Sequence, residues 1–464
     1  MMREPVAVTD VSIDLLRRYN VPGPRYTSYP TAPVWTEDFA PSDYEEILAK
    51  SRTADSPAPL SLYLHIPFCE TLCYFCACTV VITGNHSVEE SYLALLETEI
   101  DWIAARAGGE REVVQLHWGG GTPTYLSPNR IYRLAAKLRA SFRFASNAEV
   151  GVEVDPRVTT EAHLEALRNA GFNRLSMGVQ DFDPEVQKAI HRIQPFGETR
   201  ALVEAARAMG FDSINMDLIY GLPLQTADSF RSTIESILAI GPDRLAVYSY
   251  ANVPWLKKHQ KLLEPHLPGE REKFEIFRAA LGRFTQAGYE YIGMDHFARP
   301  DDELARARRN RTLHRNFQGY TTKAGTDLVG MGVSAIGAIG DAFVQNRREL
   351  PDYRKAIERD GAATFRGFRL SFDDRVRRAV IGNLLCHGVV VVPEIERTFG
   401  VDFSTYFADP LARLASCAED GLVEISPAEI RATPLGRIFL RNLAMPFDAY
   451  LPNQSTKPLF SKTL

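Results

Sequence analysis

Four cysteines lie within ten positions of the chain, in the segment HIPFCETLCYFCAC at residues 65–78. The whole chain contains six cysteines, so this segment holds most of them. Cys69, Cys73 and Cys76 have the spacing C-x3-C-x2-C, and Cys78 follows two positions later. Thiolates placed this closely on one segment can bind a metal centre, because deprotonated cysteine is a strong ligand for zinc and for iron–sulfur clusters.

The spacing of the first three cysteines favours an iron–sulfur cluster. A tetrahedral zinc site more often uses two C-x2-C pairs that are well separated in sequence. An iron–sulfur cluster usually takes four thiolates, so three leave one iron open to bind another molecule, which is a catalytic arrangement. A structural zinc site and buried free thiols are the alternatives.

Cys78 is surplus to this pattern. As a fourth ligand it would crowd one side of the cluster and occupy the iron that three ligands leave open. We therefore predict that Cys78 is a thiol near the site and not a ligand. It is either a small residue on a tight loop or a thiol that faces the substrate, and the spacing alone does not choose between these roles.

The elements that must position the cysteines alternate from residue 60 to about residue 297. Short β-branched apolar runs are each followed by a Gly/Pro-rich loop and an amphipathic helical pattern, which predicts a parallel sheet covered by helices. No nucleotide-binding glycine fingerprint follows the first strand, so a full or partial TIM-like barrel is favoured over a doubly wound fold. Such a barrel carries its chemistry after the strands' carboxyl ends, which is where the cysteines begin. The six predicted strands are 60–66, 113–118, 149–155, 174–179, 213–220 and 244–250.

Three regions are predicted along the chain. Residues 1–43 form an N-terminal arm, whose segment NVPGPRYTSYPTAP is too proline-rich for a helix or a central strand. Residues 44–370 form the α/β barrel. Residues 371–464 form a mostly helical C-terminal domain, in which GLVEIS and EIRATPLG predict a small hairpin typical of a winged-helix layout.

Composition narrows the class of protein. The net charge is −5, which argues against broad attraction to nucleic acid or to an anionic membrane. The most apolar run, AVIGNLLCHGVVVV, is too short to span a membrane and is broken by Asn383 and His387. The absence of an apolar leader, together with few cysteines, predicts reduced thiols in a cytoplasmic enzyme. A zinc-stabilised nucleic-acid-binding protein that uses the C-terminal domain is the alternative from another class.

Polar and glycine residues follow the later strands. HWGGGTPTYL places three glycines after the second strand, where backbone groups can approach a polar ligand closely. Glu153 and Asp155 end the third strand, and Asp155 precedes a proline and suits helix capping, so Glu153 is the preferred ligand. Gln180 ends the fourth strand. Asp217 lies within the fifth, where a buried acid needs a partner or a ligand.

The cysteine spacing, with Phe75 before the last ligand, resembles the signature of the radical S-adenosylmethionine (SAM) superfamily. The resemblance implies one 4Fe–4S cluster held by three cysteines, with SAM chelating the fourth iron. Further motifs resemble the family of oxygen-independent coproporphyrinogen III oxidases of haem biosynthesis: GPRYTSYPT, LHWGGGTPTYL, VEVDPR, GFNRLSMGVQDF, DLIYGLP, GMDHFARPDDELA, LHRNFQGYTT and GMGVSAIG. Related haem chaperones share the three cysteines but lack the PRYTSYP arm and the extra cysteine. A related radical SAM haem chaperone or haem-modifying enzyme is the alternative within this superfamily.

The resemblance implies an activity and a set of partners. Members convert two propionate side chains of coproporphyrinogen III to vinyl groups, giving protoporphyrinogen IX, and use two SAM molecules per turnover. An external one-electron reductase is implied as a partner, while no nucleic acid partner and no membrane span are expected. The enzyme is expected to be a cytoplasmic monomer.

The resemblance also implies residue roles. The four carboxylates of the substrate need cations, and the candidates are Arg25 in the arm, beside Tyr26, and Arg299 in DHFARP. Position 77 is alanine where the family commonly has glycine, and a methyl group is tolerated there only if φ is negative. The SAM ligands implied by motif are Tyr63, Phe75, Ala77, Gly120, Gly121, Thr122, Glu153, Gln180, Arg192, Asp217, Ala251 and Ile336.

Overall fold

The structure is a computed structural model and describes residues 12–451 and 459–463. Before the sheet lie α1 (Ile13–Tyr19) and α2 (Pro41–Arg52), joined by an irregular segment. The alternating region then contains β1 (Leu60–Ile66), β2 (Phe68–Cys69), β3 (Val81–Ile82), α3 (Val88–Ala107), β4 (Glu112–Gly120), α4 (Pro128–Ser141), β5 (Arg143–Val154), α5 (Glu161–Asn169), β6 (Arg174–Gln180), α6 (Pro184–Ala189), α7 (Phe196–Ala208), β7 (Ser213–Tyr220), α8 (Ala227–Ile240) and β8 (Arg244–Ser249).

The chain continues through shorter strands into a helical region. It forms α9 (Glu270–Gln286), β9 (Glu290–Gly293), β10 (His296–Ala298), α10 (Glu303–Arg309), β11 (His314–Asn316), β12 (Gly319–Thr321), β13 (Asp327–Met331), β14 (Ile336–Ile339), β15 (Ala342–Asn346), α11 (Leu350–Asp360) and β16 (Thr364–Arg369). The C-terminal region forms α12 (Phe372–His387), β17 (Val389–Val391), α13 (Val392–Phe399), α14 (Phe403–Tyr406), α15 (Ala408–Glu419), β18 (Val423–Ile425), β19 (Glu429–Ala432) and α16 (Leu440–Ala444).

One twelve-stranded sheet organises the molecule, in the order β16-β15-β14-β13-β1-β4-β5-β6-β7-β8-β10-β9. The strands from β13 to β8 in this order pair in parallel, and the strands beyond them on both sides pair antiparallel. The sheet is therefore an open, partial barrel, as predicted. Because β1 is buried on both faces, its sequence LSLYLHI is nearly continuous in apolar residues.

All six predicted strands are present, and β1 and β7 have the predicted bounds. The segment GMGVSAIGAIG supplies parts of β13 and β14. The parallel strand β13 returns to pair with β1, a long-range pairing that local periodicity does not reveal. A Cβ atom at Gly330 would lie 2.3 Å from the carbonyl oxygen of Ile336, so this turn back requires glycine.

The C-terminal region combines helices with a small sheet in the order β17-β19-β18. The hairpin expected from GLVEIS and EIRATPLG is present, with Val423 opposite Ala432 and Ile425 opposite Ile430. No helix among the described residues has both the length and the apolar content needed to cross a bilayer.

The arm is fixed to the C-terminal region by a buried cation. Arg441 is 7% exposed and donates to the carbonyl oxygens of Gly23 and Pro24 in the arm. It also donates to the carbonyls of Lys462 and Thr463. One guanidinium group therefore joins two ends of the described chain.

Candidate active site

The cysteine segment is a closed loop at the carboxyl edge of the sheet. Its ends are held by the two-residue parallel pairing of β2 with β3, in which Cys69 lies opposite Ile82. The N–H of Thr83 donates to the carbonyl of Cys69 at 2.9 Å, which closes the loop after Cys78. The thiols therefore stand on a short, constrained loop directly beyond β1.

Two neighbouring segments hold the backbone of this loop. The N–H of Tyr74 donates to the carbonyl of Ile190 at 3.0 Å, from the turn after α6. From the segment after β8, Lys257 donates to the carbonyl of Cys78 at 2.6 Å, and Gln260 donates to the carbonyl of Phe75 at 2.9 Å. The loop conformation thus depends on residues far away in sequence.

Cys73 is buried and lies next to two guanidinium groups. Arg157 is 3.4 Å and Arg192 is 3.6 Å from its sulfur atom. Both arginines also bind Asp155, at 2.6 and 3.0 Å. Cys73 is therefore placed directly beside fixed positive charge.

The other cysteines differ in their electrostatics. The Cys78 thiol donates to Cys76, and with the charges of Lys257 and Arg192 this lowers the pKa of Cys76 to about 6, against the effect of burial. The same contact raises the pKa of Cys78. Burial raises the pKa of Cys69 to about 11. The protein therefore favours the thiolate at Cys76 and the protonated thiol at Cys78.

The glycine segment after β4 packs against the loop. Gly120 has φ +114°, and a Cβ atom there would lie 2.6 Å from the ring of His65. A Cβ atom at Gly121 would lie 2.7 Å from the carbonyl oxygens of Pro67 and Phe68. The hydroxyl of Thr122 lies 3.5 Å from the sulfur of Cys69. Only glycine allows this approach, so the structure brings the two predicted segments together.

Glu153 lies beside the same segment. Its carboxylate accepts hydrogen bonds from the N–H of Gly120 at 3.1 Å and from His117 Nε2 at 3.4 Å. Burial opposes ionisation, but these two donors hold the pKa of Glu153 below its usual range. Tyr63 stacks on His117, with ring centroids 6.3 Å apart, and its hydroxyl lies 3.1 Å from His65 Nδ1. An ionised acceptor is therefore fixed at the strand ends.

The barrel interior contains a cavity of 150 Å³, called the lumen cavity here, lined among others by His117, Glu153, Asp217, Tyr248 and His296. Asn215 donates to Asp217 at 2.8 Å, but burial raises the pKa of Asp217 to about 7. A buried carboxyl group with this pKa is a common feature of functional sites.

The remaining predicted SAM residues are placed at the same edge, with different local roles. Gln180 ends β6 with φ +68°, in the left-handed region that is unusual outside glycine. Ala77 lies outside that region, so its methyl group is accommodated. Ala251 follows β8, and Ile336 begins β14 against Gly330.

The two arginines predicted to bind the substrate lie at opposite ends of the barrel. Arg25 lies at the carboxyl edge, paired with Asp295 and 5.4 Å above the ring of Tyr248. Arg299 lies at the opposite end of the barrel, where it donates to the carbonyl of Gly241 at 2.6 Å. Because β10 runs antiparallel to β8, a residue after β10 emerges where β8 begins. The expectation that Arg299 lies at the active site is therefore corrected.

Tyr26, the third arm candidate, is 5% exposed and donates to the carboxylate of Asp448 at 3.1 Å. Its φ of +46° places a bulky residue in the left-handed region. The arm is therefore docked on the C-terminal region beside the barrel mouth, and Tyr26 acts there as an anchor.

Sequence reasoning missed three residues of the site. Arg157 follows Asp155 in VEVDPR, and it contacts both that carboxylate and Cys73. The sequence also favoured Asp155 as a helix cap, whereas in the structure Asp155 pairs with Arg157 and Arg192. His65 contacts Tyr63, and His117 contacts Glu153. Their positions, two residues from Tyr63 and at the start of the glycine motif, were the available signal.

The donor set fits an iron–sulfur cluster with three thiolate ligands. Among the described residues, no three His, Cys, Asp or Glu side chains are close enough to hold a single metal ion. A four-iron cluster is larger than one ion, so its ligands stand further apart. Cys69, Cys73 and Cys76 lie on one closed loop, with cations next to Cys73 and a lowered pKa at Cys76. These features suit thiolates bound to iron.

Comparison with known proteins agrees with this site. Residues 63–237 match the radical SAM superfamily, and residues 370–439 match the HemN C-terminal domain. The chain therefore has the fold and the cysteine loop of a radical SAM protein, a class that uses a 4Fe–4S cluster and SAM.

Relatives identify the family within this class. The oxygen-independent coproporphyrinogen III oxidase of Salmonella typhimurium is 47% identical over 98% of this chain and 99% of its own length. That of Pseudomonas aeruginosa is 47% identical over 95% of this chain and 96% of its own length. The structure of coproporphyrinogen III oxidase (HemN) from Escherichia coli, a radical SAM enzyme, matches with a TM-score of 0.90 and 46% identity, covering 95% of this chain and 99% of that one. The chain belongs to the oxygen-independent coproporphyrinogen III oxidase family.

Proposed function

We propose that this protein converts two propionate side chains of coproporphyrinogen III to vinyl groups, giving protoporphyrinogen IX in haem biosynthesis. The observation that carries the proposal is the cysteine loop with three ligand candidates at the barrel's carboxyl edge, in a chain of this family. When bound, the cluster and SAM supply a carbon radical that removes hydrogen from an unactivated carbon, which no side-chain base can do.

Cys69, Cys73 and Cys76 hold the cluster in this proposal, and the fourth iron is left for SAM. Two observations support the assignment. Arg157 and Arg192 place positive charge at the sulfur of Cys73, and Cys78 is directed at Cys76 as a hydrogen-bond donor. Cys78 then stays protonated beside the site.

Glu153 and Asp217 serve SAM as acceptors for ammonium or ribose hydroxyl groups. The support is that both carboxyl groups line the lumen cavity at the strand ends. Gly120 and Gly121 leave room for a ligand's polar groups, since side chains there would collide with neighbouring atoms. Tyr63, Phe75, Ala77, Thr122, Gln180, Arg192, Ala251 and Ile336 complete the proposed set.

The arm has the role of a closing element. Arg25 reaches the carboxyl edge through its pair with Asp295, and Tyr26 anchors the arm to Asp448. A docked arm excludes water and thiols that would quench a radical. We propose the division into an arm (1–43), a barrel (44–370) and a C-terminal domain (371–464) on this basis, with the chain acting as a monomer.

The reaction also needs electrons from outside the chain, and we propose an external one-electron reductase. The segment WLKKHQKL, residues 255–262, supports a docking place for it. Trp255, Leu256 and Leu262 are 47%, 66% and 62% exposed, and the segment carries three lysines and no acid. Its Lys257 touches the carbonyl of Cys78, so the segment adjoins the cysteine loop.

The test is anaerobic reconstitution of the cluster, followed by addition of SAM, a reductant and coproporphyrinogen III. We expect protoporphyrinogen IX, with two SAM molecules cleaved per product. A colourless protein without iron, or a brown protein that binds haem without converting the substrate, would contradict the proposal. The second outcome would favour a haem chaperone.

A further inference from the structure

A second cavity of 450 Å³ lies beside the lumen cavity, and we call it the basic cavity. Its walls come from arm residues 26–29, the hairpin of β11 and β12, and the inner face of α12. Arg315, Arg375 and Arg378 line it, whereas Asp341 is the one acid among its lining residues. The balance of charge in this cavity is therefore positive, in a chain whose net charge is negative.

Two of these arginines lack anionic partners in the described part of the chain. Arg315 has its Nε and Nη1 atoms buried without a hydrogen-bond partner there, while its guanidinium group lies 4.9 Å above the ring of Tyr320. Arg378 lies 5.2 Å above the ring of Phe343 and forms no hydrogen bond or ion pair with any described residue. Buried, unsatisfied charge is costly, so Arg315 is suited to an anionic ligand, and Arg378 adds a second cation without an ion-pair partner among the described residues.

The pKa values of two groups that line the basic cavity, His314 and Arg378, are lowered. Burial, Arg378 and His387 lower the pKa of His314 to about 4. Burial likewise lowers the pKa of Arg378, with Asp341 opposing the effect. Asp341 already pairs with Arg375 at 3.3 Å. The cavity therefore contains cations that its own acid does not neutralise.

The basic cavity and the lumen cavity share walls. The same hairpin presents Arg315 and Phe317 to the basic cavity and Gln318 and Tyr320 to the lumen cavity. The arm does likewise, because Arg25 contacts Tyr248 of the lumen cavity and the next residue lines the basic cavity. A ligand in the basic cavity is therefore placed directly beside the proposed site of chemistry.

We propose that the basic cavity binds the carboxylates of the tetrapyrrole that the reaction leaves intact, with Arg315 and Arg378 as the cations that hold them. The inference rests on the proposed function, in which two of four propionates are converted and two are retained. Guanidinium groups pair with carboxylates in a bidentate manner, and the aromatic rings of Phe317 and Phe343 provide apolar wall for the macrocycle.

The test is binding of coproporphyrin III, the stable oxidised macrocycle with the same four carboxylates, to the full chain. We expect Arg315→Gln and Arg378→Gln each to raise Kd by about 10- to 100-fold, as for loss of a hydrogen bond to a charged group. Arg359→Gln, on an exposed arginine of α11 that pairs with Asp360, is the matched control and should keep the wild-type Kd.

The neutral tetramethyl ester separates charge recognition from shape. We expect the ester to bind the wild type more weakly than the acid does, and to bind the wild type and the arginine variants equally. Asn383→Asp, a nearly isosteric change in the wall of the basic cavity, should weaken binding of the acid and leave binding of the ester unchanged. This variant keeps the test valid if a glutamine variant fails to fold, which thermal melting would show.

Turnover separates failure of this inference from failure of the proposed function. If the wild type does not convert coproporphyrinogen III, the proposed function fails. If the wild type converts it and the arginine variants keep both Kd and KM, the function stands and the cavity assignment is overturned. The expected result is that Arg378→Gln raises KM more than it lowers kcat.

Discussion

At the scale of single residues, Cys76 and Cys78 show how one spacing can contain two kinds of thiol. They are two positions apart, yet the Cys78 thiol donates to Cys76 and lowers the pKa of Cys76 while its own is raised. The carbonyl of Cys78 is also tied to Lys257. The sequence suggested three ligands and one surplus cysteine, and the electrostatics give that difference a physical cause.

This difference predicts opposite results for two alanine variants. After anaerobic reconstitution, Cys76→Ala should lack the cluster's absorbance at about 400 nm and nearly all of the iron, because the cluster needs its thiolate ligands. Cys78→Ala should keep both, because we propose Cys69, Cys73 and Cys76 alone as the ligands. Iron content and the visible spectrum check the pair, and loss of the cluster in Cys78→Ala would refute the assignment.

Asp217 carries a prediction about pH. Burial raises its pKa to about 7, so the carboxylate form, which we propose as the acceptor for SAM, is the minor form at pH 6 and the major form at pH 8. Affinity for SAM should therefore rise about tenfold between these pH values, following the ionised fraction. Equilibrium dialysis of SAM with the reconstituted protein measures this.

Asp217→Asn provides the comparison, since an amide does not titrate. We expect its affinity for SAM to be lower at pH 8 and much less dependent on pH. A wild type with the same affinity at both pH values would show that Asp217 does not contact SAM as a carboxylate.

At the scale of elements, the arm depends on a residue that no arm motif contains. Arg441 precedes the end of the chain by more than twenty residues, and it bonds to backbone carbonyls on the arm and near the C-terminus. Such contacts involve no particular side chain in the arm. The sequence could predict that PRYTSYP is extended, but not what it docks against.

Arg441→Met is therefore expected to release the arm. It keeps much of the apolar stem but leaves the buried carbonyls of Gly23 and Pro24 without their donor, costing about 3 kcal/mol in the free energy of unfolding. Limited proteolysis should then cleave within residues 20–33, and substrate turnover should fall. Arg437→Met, another arginine of the C-terminal region that binds the carbonyl of Ile292, should leave cleavage of the arm unchanged.

The elements also show where sequence reasoning succeeds. The six parallel strands follow from periodicity, because strands buried on both faces are nearly continuous in apolar residues. Periodicity did not predict three other features: the pairing of β13 with β1, the position of Arg299 at the far end of the barrel, and the contact of Arg157 with Cys73. Each is set by tertiary pairing between segments far apart in the chain.

At the scale of the whole molecule, charge is unevenly distributed around the cysteine loop. The chain has a net charge of −5, yet residues 255–262 carry three lysines, no acid and three exposed large apolar side chains. Electron transfer needs the donor to approach the cluster closely, and this segment covers the backbone of the cysteine loop. We expect the proposed reductase to be an acidic one-electron redox protein, attracted by the lysines and packed against Trp255.

Lys258→Glu combined with Lys261→Glu tests this surface, because both side chains are exposed and neither binds the cysteine loop. We expect cluster reduction by an acidic protein donor such as a flavodoxin to slow by about tenfold at low salt, with the difference shrinking as salt screens the charges. Reduction by dithionite, a small chemical reductant, should be unchanged. Lys355→Glu reverses an exposed charge on α11, and it should change neither the rate with the protein donor nor the rate with dithionite.

Stopped-flow absorbance follows the reduction of the cluster. Equal rates for the wild type and the double variant with the protein donor would place the docking surface elsewhere, whereas slower reduction by dithionite as well would mean that the changes disturb the cluster itself.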